Sequence, residues 1–111
     1  MPVILVVPVS SDGNIGPSFG KASAVAVVQV EGAEITGWDE FGVGWDLAHD
    51  SATHGSHHAR IVTFLREHHV ERVVANHIGD PMQRTLASMG VKAVLGVAGE
   101  ARTAVLKAAS L

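Results

Sequence analysis

The chain has 111 residues, a length that suits one domain. Apolar residues make up 47% of it and cysteine is absent, so a core can form by burial alone, with no disulfide framework and no thiol chemistry. The net charge of −3, with Lys and Arg spread along the chain, argues against a nucleic-acid partner, whose phosphates would require a basic stripe.

Met1-Pro2-Val3-Ile4-Leu5-Val6-Val7-Pro8 opens the chain with an apolar run but no basic residues before it. The run is too short for a signal core or a membrane span, and a first core strand, Val3 to Val9, is expected instead. No membrane partner is expected, and the lack of cysteine fits the cytoplasm. Ser10-Ser11-Asp12-Gly13-Asn14 is a cluster of turn residues, and Gly16, Pro17 and Gly20 keep the next stretch a loop. Ala24 to Val30 is a second strand. Glu31-Gly32 then turns the chain into a third, Ala33 to Phe41, giving an antiparallel meander. Gly42 to Gly55 reads as irregular.

A helix is expected from Ser56, as N-cap, to His69, with Ile61, Phe64, Leu65 and His68 at helical spacing. Arg72 to Ala75 is a short strand. Asp80-Pro81 predicts an N-cap followed by proline at the first helical position, opening a helix with Met82, Leu86 and Met89 on its apolar face and Gly90 as its stop. Val91 to Leu95 is a last strand, and Gly99 to Ala109 a last helix with Ala101, Ala104, Val105 and Ala108 inward. The order β-β-β-α-β-α-β-α predicts an α/β domain over residues 1–111, a mixed sheet of about five strands with three helices. No repeat, linker or low-complexity segment interrupts it.

The seven histidines are the chemical signal, and four of them, His49, His54, His57 and His58, crowd into one ten-residue run. Imidazole is the commonest metal-ligand side chain, and with no thiolate present only imidazole and carboxylate remain to hold a metal. On a helix His54 shares a face with His57 or His58, whereas the adjacent pair points about 100° apart. A helix N-terminus disfavours protonated imidazole, favours the neutral ligand form and offers N–H groups to an anion. The alternative is a solvated polar helix start. His77 lies just past a strand, where open α/β folds bind ligands, and Gly79 would let backbone approach a ligand closely. Both also read as ordinary loop residues. His49 and Asp50 read as solvated, with a coordinating role as the alternative. His68 and His69 read as structural residues at a helix end, where imidazolium suits the dipole.

Enzymatic readings find no centre. Asp12, Asp39, Asp46 and Asp50 lack the recognisable spacing of a two-metal nuclease, and Asp12 reads as a turn cap. Gly42-Val43-Gly44 is no dinucleotide fingerprint, and there is no nucleophile elbow. Trp38 and Trp45 are core or pocket rim.

Val7-Pro8-Val9-Ser10-Ser11-Asp12-Gly13 with Phe19-Gly20-Lys21-Ala22, then Phe64-Leu65-Arg66-Glu67-His68, Val73-Val74-Ala75-Asn76-His77-Ile78-Gly79 and Val91-Lys92-Ala93-Val94-Leu95-Gly96, form an ordered series. It resembles the dinitrogenase iron-molybdenum cofactor biosynthesis family over nearly the whole chain. The resemblance implies a ribonuclease H-like α/β fold and noncovalent binding or carrying of an iron-sulfur or iron-molybdenum cluster, or a precursor. Where the family usually shows His before Phe-Gly, this chain has Ser18, so the resemblance carries no ligand role onto the loop Gly16–Gly20. Taken with the residues, the expectation is a non-catalytic cluster binder using His54, His57, His58 and His77, with Gly79 beside them, and cluster donor or acceptor proteins as partners. The alternatives are a mononuclear protein for zinc, iron or nickel using the same histidines, and a structural or interaction module without cofactor.

Overall fold

The structure, a computed structural model, describes residues 2–16, 18–45 and 54–111, with no account of the side chains of residues 54–57. Its elements are β1 (Val3–Pro8), β2 (Ala24–Glu31), β3 (Glu34–Gly42), α1 (His54–Glu67), β4 (Arg72–Val74), α2 (Asp80–Ser88), β5 (Lys92–Val94) and α3 (Ala101–Ala109). They form one five-stranded sheet in the order β3-β2-β1-β4-β5. β2 runs antiparallel to both its neighbours, whereas β1, β4 and β5 are parallel. This is the ribonuclease H-like α/β arrangement, and among the described residues no helix falls between Val3 and Val30.

The Val-rich strands form because each alternates its side chains between two apolar layers. Val6 of β1 packs with Phe19, Val25 and Trp45 against Ile61 and Leu65 of α1 and Met82 and Leu86 of α2. Its neighbours Leu5 and Val7 face the other way, onto Ala101, Ala104, Val105 and Ala108 of α3. Gly32, at φ 64°, makes the tight β2–β3 turn that brings Glu31 opposite Glu34. The Arg72 guanidinium donates to the Ala108 carbonyl and ties the end of α3 to β4.

The helix limits correct the sequence expectations. α1 starts at His54, so Ser56 lies inside the helix rather than capping it. It ends at Glu67, because His69 takes the left-handed φ of 56° and turns the chain. α2 has Gly79, not Asp80, as its N-cap, at φ −62° and ψ 150°, with no side-chain capping bond. Asp80 itself occupies the first helical position. α3 begins at Ala101 because Gly99 sits at φ 92°, outside helical space, where its carbonyl accepts from the Ile15 N–H at 2.8 Å.

Candidate functional site

Strand direction assigns the histidine-bearing segments to one end of the sheet. β3 ends at Gly42, and α1 then returns the chain to the amino end of β4, where the Glu71 N–H donates to the Ile4 carbonyl at 2.8 Å. The N-terminus of α1 therefore stands at the carboxyl end of β1 and β4. His77 follows β4 at that same end. It is also where β1 feeds the antiparallel half and β4 the parallel half, a switch point of the kind at which open sheets bind ligands.

α1 begins early enough that His54, His57 and His58 all fall in one continuous helix. His54 thus stands three and four residues from the other two in helical backbone, the spacings that share a face. The side chains of His54 and His57 lie outside the described residues, as do His49, Asp46 and Asp50. His58 is half-buried. His77 is exposed, and its carbonyl accepts from the Phe19 N–H at 3.2 Å, joining the loop after β4 to the loop after β1. Ile78 is buried beside it, which fixes the loop to the core. Gly79 is exposed. Its φ is one that any residue adopts, and an added Cβ would approach only the Pro81 Cδ, at 4.0 Å. The fold does not itself demand glycine there.

An aromatic series underlies this end. The Phe19 ring meets Trp45 edge-on at 5.3 Å, and Trp45 meets Phe64 of α1 at 5.6 Å. Trp45 is thus core, 3% exposed, and it also lines a shallow cleft beside Thr63 and Phe64 of α1. Phe64 and Phe41 continue the series to the half-buried His68 ring, at 4.4 and 4.8 Å. His68 therefore has the structural place expected of it.

Among the described residues no group of three or more His, Asp or Glu side chains converges to hold a metal ion. Asp12 does what its turn requires: its Oδ1 accepts from the Asn14 N–H at 3.0 Å. Among the described residues no helix is long and apolar enough to cross a membrane.

One feature of this end has no counterpart in the sequence reading. A cleft of about 520 Å³ opens beside the end of β1, walled by the loop that connects β1 to β2. Its signal was the run of serines and the lysine in one loop, which reads as turn chemistry until the chain folds back on itself.

The sheet order, with helices on both faces, defines a ribonuclease H-like α/β protein. A family model described as dinitrogenase iron-molybdenum cofactor matches residues 1–111, and the chain belongs to that family. No functionally curated protein matches it. Among solved structures it is similar to PH0822, with 24% identity, a TM-score of 0.73, and coverage of 97% of this chain and 87% of that one. It is also similar to a Methanocaldococcus jannaschii protein whose description assigns it provisionally as a dinitrogenase. The identity there is 11%, the TM-score 0.64, and the coverage 96% of this chain and 86% of that one. These likenesses speak for the fold.

Proposed function

We propose that this protein binds or carries an iron-sulfur or iron-molybdenum cluster, or a precursor of one, without catalysing a reaction on it. The carrying observation is that the N-terminus of α1 and the loop after β4 stand at one end of the sheet in a chain of this family. His54, His57, His58 and His77 are the proposed ligands, with Gly79 giving close backbone approach. Imidazole suits iron, and the first-turn N–H groups of α1 suit the negative charge of a cluster. Of the adjacent pair His57 and His58, one is proposed to face the cluster. Cluster donor and acceptor proteins in the cytoplasm would be the partners.

A second reading is favoured by the early start of α1. His54 and His58 are separated by one helical turn, a spacing that suits a single divalent ion such as zinc, iron or nickel. Metal and sulfide analysis of protein purified without an affinity tag, with and without oxygen, separates the two. Iron with sulfide supports the cluster, and one divalent ion per chain the mononuclear site. Absence of both, in protein also challenged anaerobically with iron and sulfide, defeats each reading and leaves an interaction module. The double substitution His57→Ala with His77→Ala should abolish tight binding at about pH 7.5, where imidazole is neutral. Binding as tight as the parent's would put the site elsewhere.

A further inference from the structure

The cleft at the end of β1 carries chemistry of its own. Its polar lining is Ser10, Ser11, Ser18, Lys21, Ser23 and Glu40, with no imidazole among the described lining residues. Backbone bonds shape it. The Gly16 N–H donates to the Pro8 carbonyl at 2.9 Å and the Val9 N–H to the Ala24 carbonyl at 3.1 Å, folding the β1–β2 loop back over the strand ends. The Ser23 carbonyl accepts from the Val43 and Gly44 N–H groups at 3.0 and 3.1 Å, which closes the wall next to β3.

Glu40 is held in place before any ligand arrives. Its Oε2 accepts from the Trp38 Nε1–H at 2.9 Å, and the Arg102 guanidinium lies 4.4 Å from the centre of the Trp38 ring. No described residue bonds its Oε1. Lys21 lines the same cleft, and its ammonium has no partner among the described residues. The four serine hydroxyls can each donate and accept.

The charge pattern selects the ligand. A simple anion would suit Lys21 and the hydroxyls but would meet the Glu40 carboxylate. A simple cation would suit Glu40 and be repelled by Lys21. A molecule with both charges satisfies both side chains, so each rejects what the other alone would accept. The volume is that of a small-molecule site.

We propose that this cleft binds a small zwitterion, its oxyanion held by Lys21 and the serine hydroxyls and its ammonium held by Glu40. The proposal does not depend on the histidine site, since among the described residues neither His58 nor His77 lines the cleft.

The test uses phosphoethanolamine, inorganic phosphate and ethanolamine as probes of 15N-labelled protein at neutral pH and low ionic strength. Saturable amide shifts at Ser10, Ser11, Lys21 and Ser23 are expected with phosphoethanolamine. Its affinity should exceed that of either single-charge probe by about tenfold, the worth of one charge-assisted hydrogen bond. Lys21→Met should weaken phosphoethanolamine binding by a similar factor, and Glu40→Gln should reduce it to the level of phosphate. Both positions are exposed, so an unchanged thermal midpoint will show that the variants fold. Absence of shifts at these amides, equal affinity for all three probes, or variants that bind like the parent would each overturn the proposal.

Discussion

Replacing Phe19 with leucine tests whether the loop after β1 is held by its aromatic contact or only by burial. Phe19 is fully buried and its ring stands at 75° to Trp45, with centroids 5.3 Å apart. Leucine keeps an apolar side chain but leaves space, which costs up to about 1.5 kcal/mol. Loss of the edge-to-face pair adds about 0.5–1.5 kcal/mol beyond area. Together the expected cost is about 2 kcal/mol, or a fall in thermal midpoint of roughly 8 °C for a chain of this size. Calorimetry and urea titration would measure it. Hydrogen exchange should show the loss first at the Ala22 amide, which donates to the Phe19 carbonyl, and at the Phe19 amide, which donates to His77. A shift below about 0.5 kcal/mol would refute the reasoning, because a buried aromatic pair cannot be removed for so little.

Asp80→Ala should cost only about 0.5 kcal/mol, the dipole contribution of an exposed first-turn carboxylate, since no capping bond is lost; a change of 1.5 kcal/mol in chemical denaturation would restore Asp80 as the cap. Gly79→Ala should be nearly neutral for stability, because the reduced freedom of the unfolded chain offsets the poorer N-cap, each by about 0.5–1 kcal/mol. If Gly79 gives a cluster close backbone approach, the same variant should bind iron and sulfide more weakly at unchanged thermal midpoint, and equal binding would remove Gly79 from the site. Metal binding through imidazole is strong above the range where imidazole protonates and should be lost as pH falls below about 6; a binding curve flat from about pH 5 to 8 would exclude histidine ligands.

The strands were legible because Val and Ile runs between turn clusters leave few alternatives. Val3–Pro8 and Ala24–Glu31 match the sequence reading to within a residue at each end. The Gly32 turn was legible for the same reason. Helix starts were less so. α1 includes His54, two residues before the Ser56 that the sequence offers as a cap. At α2 the Asp-Pro pair suggests a non-helical residue before proline. The extended residue is Gly79, one position earlier, and proline is tolerated early in the helix because its missing N–H would have had no intrahelical partner. The direction of the strand–helix alternation was legible too, and it puts the start of α1 and the loop after β4 at the same end of the sheet. The serine cleft was not legible: Ser10 and Glu40 are brought to it by a loop and a hairpin, and neither has a periodicity.

The unequal halves of the sheet bear on how the molecule opens. β2 and β3 are adjacent in sequence and pair along their whole length, from Ala24 with Gly42 to Glu31 with Glu34. The parallel half is different. β1 pairs with β4 through Leu5 with Arg72 and Val6 with Val73, and that contact closes a loop of most of the chain. Such long-range pairing is slow to form, because the loop entropy must be met before the contact rewards it. β4 and β5, three residues each, have few ladder bonds with which to resist opening. The hairpin is therefore expected to act as a persistent unit, while the β4–β5 end unfolds and recloses on its own. His77 lies in that less persistent half and the cleft in the persistent one. Local opening around His77 would break the Phe19 N–H bond to its carbonyl, so it would reach the loop that walls the cleft as well.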